Sequence, residues 1–281
     1  MKTPKMITAL LLAAVLLLAG CSPGPEDTRE EALTDELEVH FFDAGKADAI
    51  LLTTINSAVL IDAGEKGFGK TITAFLEGKG IERIDCLIVT HFDKDHVGGT
   101  AKVLNSIPAG MVLQSNQPRD SEEYQNYINA LENAGIEPVT VRETYQFTLD
   151  GVHYTVDPPR KTEYSEDSSN NSSLIVSVQH GSNSFLFTGD AQTQRLEEFL
   201  DRNKTTFDVL KIPHHGREEP IFDELIASVK PAYAVITSSD DEPESEKSVE
   251  ALKNASIRVL LTREGAVTMY SDGMKLTLLQ E

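Results

Sequence analysis

Leu87-Ile88-Val89-Thr90-His91-Phe92-Asp93-Lys94-Asp95-His96-Val97-Gly98-Gly99 joins an apolar, β-branched run to a cluster of metal-capable side chains. Such a run reads as a strand that delivers ligands to its own tip. If its alternation continues past the tip, His91, Asp93 and Asp95 point the same way and converge, with His96 beside them. Gly98 and Gly99 then free the chain to turn. Imidazole and carboxylate are the donors that borderline and hard divalent ions take, and four of them this close repel unless a cation lies among them.

Two other segments have the same design: Phe185-Leu186-Phe187-Thr188-Gly189-Asp190 and Val209-Leu210-Lys211-Ile212-Pro213-His214-His215-Gly216. A third apolar run, 58–62, ends in Asp62. Tips of neighbouring strands meet at one edge of a sheet, so these Asp and His residues are candidates for one common centre. The motifs hold His91, His96, His214 and His215, four of the seven histidines; the others, His40, His153 and His180, sit in strand contexts where packing or a surface position accounts for them.

The block 91–96, with Thr188-Gly189-Asp190 and Pro213-His214-His215-Gly216, resembles the metallo-β-lactamase superfamily, and most of all its competence-protein (ComEC-type) branch. Phe41-Phe42-Asp43-Ala44-Gly45-Lys46-Ala47-Asp48-Ala49-Ile50 is similar to the Asp-Val-Gly-Gln-Gly-Asp-Ala opening of that branch, and Asn170-Asn171-Ser172-Ser173-Leu174 adds to the likeness. The resemblance covers about 37–280 and implies an α+β fold, the αββα sandwich, with two mixed sheets face to face and helices outside. It implies one metal on His91, Asp93 and Asp190 and a second on Asp95, His96, Asp190 and one of His214 or His215, with Asp62 orienting ligands from behind. One or two divalent ions, zinc or manganese, are the implied cofactor. Asp95 and the 214/215 pair are the implied catalytic groups, and Asn170, Ser173, Lys211 and Arg217 are expected at the substrate, with Arg263 a further nearby cation. Asp93 stands where the superfamily usually has His, which hardens the first site. Arg217 replaces the Ser usual after His-His-Gly, and 240–246 replaces the branch's later Asn and Gly-His-Pro stretch, so the substrate is where this chain departs.

The order of elements agrees with that fold. Strands are predicted over 37–43, 47–53 and 58–62, then a helix over 70–78. After the metal-capable cluster come a helix at 100–107, a strand at 111–114, a helix at 121–134 capped by Ser121 and stopped by Gly135, and a strand at 138–141. Two hairpins follow, turning at Asp150-Gly151 and Gly181-Ser182-Asn183. A second alternation of helix and strand then leads to three short closing strands. A block of strands followed by alternation, twice over, suits two packed sheets with helices outside.

Residues 1–21 carry Lys2 and Lys5, an apolar run and Leu18-Ala19-Gly20-Cys21, the plan of an export signal. The last four residues resemble the lipobox of bacterial lipoproteins, which implies lipidation at Cys21 and an extracytoplasmic protein anchored to the cell membrane. Residues 22–36 read as a Pro, Gly and Glu-rich tether, and 37–281 as the hydrolase domain. Cys86, inside an apolar run, reads as a small buried hydrophobe. With 281 residues and 40% hydrophobic content the chain can bury a large core, and a net charge of −20 gives no electrostatic footprint for unspecific nucleic-acid binding.

The implied activity is metal-dependent hydrolysis, in which a divalent ion brings the pKa of a bound water from about 16 to roughly 7. A phosphodiester is the leading substrate class: a small molecule, a nucleotide, a cell-surface polymer or nucleic acid, the last not supported by charge. Lactam, lactone or thioester hydrolysis is a second reading and a lipid-tethered binding protein a third. Relative rates on phosphodiesters and esters, together with metal content, separate the three.

Overall fold

The computed structural model describes residues 36–281. The export signal, Cys21 and the tether up to residue 35 lie outside the described residues.

The first sheet starts as a meander, β1 (Leu37–Phe41), β2 (Ala49–Thr53) and β3 (Ala58–Ala63), each strand almost wholly buried. Helix α1 (Gly69–Gly78) then crosses over to β4 (Ile84–Val89), which pairs parallel with β3. Beyond β4 come the short helices α2 (Lys94–Val97) and α3 (Thr100–Leu104), strand β5 (Ala109–Gln114), helix α4 (Glu122–Ala134) and β6 (Val139–Thr140). The Ser121 hydroxyl accepts from the Tyr124 N–H at the start of α4, and Gly135 ends it in the left-handed conformation at φ 66°, as the sequence predicts.

The second sheet opens with the hairpins β7 (Tyr145–Leu149) to β8 (Val152–Asp157) and β9 (Ile175–His180) to β10 (Asn183–Phe187). It continues through α5 (Thr193–Arg202), β11 (Val209–Lys211), α6 (Phe222–Val229), β12 (Tyr233–Ile236), α7 (Glu246–Asn254) and β13 (Arg258–Leu261). The chain returns to the first sheet with β14 (Val267–Ser271) and β15 (Leu276–Gln280). The strand orders are β15-β14-β1-β2-β3-β4-β5-β6 and β13-β12-β11-β10-β9-β8-β7.

Both sheets are mixed. A central core is built from both, with Phe41, Ile61 and Ile88 of the first facing Phe187, Val209 and Val235 of the second. The outer face of the first sheet packs on α1, α3 and α4 through Ile72, Val103 and Tyr127, and that of the second on α5, α6 and α7 through Phe199, Leu225 and Leu252. This is the αββα sandwich. Among the described residues no helix is long and apolar enough to cross a membrane.

Three local expectations change. The predicted helix at 100–107 ends at Leu104, and β5 starts at Ala109, ahead of the predicted 111, because parallel pairing with β4 begins at Ile84 and Ala109. Gly98 and Gly99 make the turn between α2 and α3 and also serve close approach: a Cβ on Gly99 would meet the Ala63 carbonyl oxygen at 2.0 Å, and one on Gly98 the Lys94 carbonyl oxygen at 2.3 Å. The extended backbone expected past His91 gives way to α2 at Lys94, so Asp95 and His96 reach the centre from a helical turn and strand alternation no longer relates Asp93 to Asp95.

Candidate metal centre

The C-terminal ends of β3, β4, β10 and β11 sit side by side in the two sheets, and their loops carry Asp62, His91 to His96, Asp190, and His214 with His215. Ligand atoms of Asp95, His96, Asp190 and His215 all lie within 4.8 Å of one another. His96 Nε2 is 3.2 Å from Asp190 Oδ1, and His215 Nε2 is 3.3 Å from Asp190 Oδ2 and 3.5 Å from Asp95 Oδ2. Yet His91 Nε2, His96 Nε2, His215 Nε2 and Asp190 Oδ1 are all buried without a hydrogen-bond partner of good geometry.

The opposite nitrogen of each ring is held. His96 Nδ1–H donates to Asp62 Oδ2 at 2.8 Å, and Asp62 also accepts from the Thr90 N–H at 2.8 Å and hydroxyl at 2.6 Å. His215 Nδ1–H donates to the Thr237 carbonyl oxygen at 3.0 Å. His91 Nδ1 lies 3.2 Å from the Thr90 hydroxyl and 3.4 Å from the Ser173 hydroxyl. Pinning Nδ1 leaves the Nε2 lone pairs of three imidazoles aimed into one buried volume beside two carboxylates, which is how protein ligands are presented to a divalent cation. The donor set, two imidazoles and two carboxylates in the closed group, fits such an ion. In a second grouping, Asp48, Asp62 and His96, the imidazole is bonded to Asp62 while Asp48 is taken up by Thr237 and Lys211, so the group is a support.

Electrostatics agree. Burial would raise the Asp190 carboxyl, but the His215 and His96 imidazoles hold it well below the usual carboxylate range. Asp95 is likewise held low against burial, chiefly by the hydrogen bond to His215 and the charge of His96. Burial opposes protonation of His96 and His215, but the surrounding carboxylates, Asp190 foremost, pull both upward. His91 moves down, through burial and the neighbouring His96. The carboxylates make this point a well for positive charge.

Backbone strain collects here. Asp62, His214 and His215 have φ of 55°, 48° and 54°, a region that costs non-glycine residues about 1–2 kcal/mol each. The consecutive left-handed residues turn the two imidazoles apart, their centroids 6.4 Å from each other. His215 faces the ligand cluster. His214 faces a cleft of about 530 Å³ lined by Asp93, Asp95, Asp190 and Asn170 together with the cations Lys46, Lys94, Arg119 and Arg217. Gln192 Nε2 lies 3.1 Å from His214 Nδ1 and holds the ring over the cleft. Gly189 must lack a side chain: at φ 52°, a Cβ would meet the Thr90 hydroxyl oxygen at 3.0 Å.

Other expected site residues stand differently. Asp93 lies 3.9 Å from His91 Nε2, but its other oxygen bonds Arg119 Nη2 at 3.1 Å and accepts from the Ser169 hydroxyl, so the first trio is more open than the four-donor group. Ser173 is wholly buried, accepts from the Asp190 N–H at 3.3 Å and shares His91; it positions ligands and has no face for substrate. Lys211 is wholly buried too, its ammonium 2.5 Å from Asp48 and donating to the Gly189 carbonyl at 3.1 Å, so it is no substrate contact. Arg263 bonds Glu244 at 3.2 Å and does not line the cleft. Asn170 does line it, its Nδ2 3.4 Å from His214 Nε2, and Arg217 lines it with no ion pair among the described residues. Cys86 is a free thiol inside the core.

Sequence reasoning missed Asp48, Thr90, Thr237, Lys46 and Arg119 as site residues. Asp48 had a signal, an acid at the head of an apolar strand. It is 1% exposed and accepts from the Thr237 hydroxyl at 2.7 Å. Arg119 had none, since its partner Asp93 lies across the cleft in a different loop.

Asp62→Ala removes the acceptor that sets the His96 ring, and outer partners of this kind contribute about 10–100-fold in metal affinity. The expected result is a loss of that size in a Mn²⁺ or Zn²⁺ titration, with Asp62→Asn recovering part of it.

The chain belongs to the metallo-beta-lactamase superfamily, whose family model matches residues 43–238. Within it, the chain falls in the ComEC-type branch. It is 28% identical over 294 aligned residues to ComE operon protein 3 of Bacillus subtilis (strain 168), covering 94% of this chain and 36% of that protein. It is 31% identical over 229 residues to competence protein ComA of Neisseria gonorrhoeae, covering 80% of this chain and 30% of that one. The chain thus spans about a third of the length of these relatives. Among solved structures, the metallo-beta-lactamase fold protein YhfI from Bacillus subtilis superposes with a TM-score of 0.53 at 12% identity, covering 81% of this chain and 96% of that one, a likeness of fold alone.

Proposed function

We propose that the chain is a metal-dependent hydrolase of phosphodiester bonds, held outside the cytoplasm by a lipid on Cys21. One observation carries this reading: the imidazole and carboxylate centre opens onto a cleft lined by Arg217, which has no ion pair among the described residues, and by Lys46 and Arg119, which lie 4.0 Å from Asp95 and 3.1 Å from Asp93, cations that suit phosphoryl oxygens and have no partner in a neutral carbonyl substrate. A relative named for competence, the ComA protein of Neisseria gonorrhoeae, supports it.

Asp95, His96, Asp190 and His215, with His91 and Asp93 beside them, would hold manganese or zinc. Such an ion supplies an activated water and a counter-charge for a phosphoryl oxygen. Arg217 and Arg119 bind the non-bridging oxygens, and Asp95, at the cleft floor, orients the attacking water. His214 donates a ring proton to the leaving oxygen as its bond to phosphorus breaks, and recovers a proton from solvent. His214→Ala should therefore cost about 10²–10⁴-fold on alkyl phosphodiesters, yet little on nitrophenyl esters, whose leaving group needs no proton.

The test is a panel of bis-nitrophenyl phosphate, single-stranded DNA and nitrophenyl acetate with Mn²⁺ or Zn²⁺. Metal-dependent turnover of the diesters is expected; turnover of the acetate alone, or of none, refutes the proposal.

A further inference from the structure

A second cleft, of about 470 Å³, lies outside the first sheet where α1, α3 and α4 meet. Three lysines, Lys66, Lys70 and Lys102, and four asparagines, Asn105, Asn126, Asn129 and Asn133, line it, and no Asp or Glu does, in a chain with 45 acidic residues and a net charge of −20. Lys66 bonds Glu122 at 2.5 Å. Lys70 and Lys102 have no ion pair among the described residues, and of the four carboxamides Asn126 bonds Glu122. Ammonium groups without counter-charges, interleaved with amide donors, recognise a ligand that presents several anionic acceptor oxygens in a row.

The groove adjoins the catalytic cleft. Gly98 lines the groove and Lys94 lines the cleft, and the Gly98 N–H bonds the Lys94 carbonyl at 3.0 Å, so a single helical turn, about 5.4 Å of rise, separates the two edges. On the other flank Ser121 and Glu123 line the cleft while Asn126 and Asn129, further along α4, line the groove. Two ion pairs, Lys94 with Glu65 at 3.2 Å and Lys66 with Glu122, each tie a lysine that lines one of the two to a glutamate that lines neither.

We infer that this groove binds the backbone of a polymeric phosphodiester whose scissile bond lies in the adjoining cleft. The inference rests on the phosphodiester reading and names its substrate class: a chain of consecutive phosphates, engaged over more than the bond that is cut. An otherwise acidic surface then acts as selection, since only strands threaded along the groove meet positive charge.

The experiment compares the wild type with the exposed double variant Lys70→Glu/Lys102→Glu. Binding of fluorescein-labelled thymidine 12-mers, and of 12-mers of abasic phosphodiester, is measured by anisotropy in EDTA across a salt series; turnover of bis-nitrophenyl phosphate and of the 12-mer is measured with Mn²⁺. The variant is expected to bind both 12-mers at least about tenfold more weakly, with a salt slope shallower by about 1.4, two contacts at about 0.7 each for single strands. Its KM for the 12-mer rises while its turnover of bis-nitrophenyl phosphate is unchanged. Loss of thymidine binding alone would point to base contacts and overturn a backbone groove. Equal 12-mer binding by the two proteins overturns it as well, and so does loss of phosphatidylglycerol vesicle binding with 12-mer binding intact, which would mark a membrane contact. If wild type turns over no phosphodiester, the catalytic reading fails while the anisotropy still decides the groove.

Discussion

Asp190→Ala is expected to abolish ion binding at the centre and to lower hydrolysis by about 10³-fold or more. Asp190 is the hinge of the arrangement, because its two oxygens face His96 and His215 at 3.2 and 3.3 Å and no other side chain approaches both imidazoles so closely. Its removal takes away the anionic donor and the strongest of the attractions that draw positive charge into the site. Calorimetry reads the effect without turnover. An ion at 100 times its dissociation constant stabilises the fold by about 2.7 kcal/mol, and the melting shift this produces should be absent in the variant. His215→Ala should behave the same way, whereas His214→Ala should keep the full metal-induced shift. A His214 variant that loses the shift would reverse the roles given to the two neighbours.

Lys211→Met is expected to cost about 3–5 kcal/mol of stability, roughly 6–20 °C in a domain of this size. The Lys211 ammonium has no access to solvent, lies 2.5 Å from Asp48 Oδ2 and 3.8 Å from Asp190 Oδ1, and is the cation that balances them. Removing it leaves buried carboxylates facing one another. Asp48 is held low against burial by Lys211 first and then by His96 and His215, so its charge is a fixed part of the fold. Asp48→Asn should destabilise by a similar amount and also weaken metal binding, because Asp48 anchors the Thr237 hydroxyl beside His215. The double variant Lys211→Met/Asp48→Leu should be less damaged than the sum of the single ones, since a buried pair replaced by apolar groups leaves no orphaned charge. Thermal melts of the set decide it. A Lys211→Met protein as stable as wild type would place that ammonium in solvent.

Much of this centre was legible in the sequence because it is written locally. An apolar strand that stops at an acid or an imidazole announces its tip, and Asp62 and Asp190 stand at the end of β3 and just past the end of β10 as that pattern implies, whereas His96 comes from the helical turn beyond β4. What was illegible depends on partners remote in the chain. The choice between His214 and His215 is made by two left-handed residues and by Thr237, just past the neighbouring strand β12. Lys211 reads as a cation at a strand end, which suggests substrate, until Asp48 from the other sheet closes on it. Asp93 reads as a ligand by alternation and keeps extended backbone, but Arg119 from a remote loop takes one of its oxygens. The helices at 121–134 and beyond were readable from caps and spacing, while the early start of β5 reflects pairing with β4 that no local signal carries.

The most direct measurement is diffraction from crystals grown with Mn²⁺ and collected at the manganese absorption edge. The expected result is an anomalous peak within bonding distance of His96 Nε2, His215 Nε2 and carboxylate oxygens of Asp190 and Asp95, with any second peak between His91 and Asp93. No peak there, or one at the groove beside Lys70 and Lys102, would contradict the assignment of these strand tips as the seat of the metal.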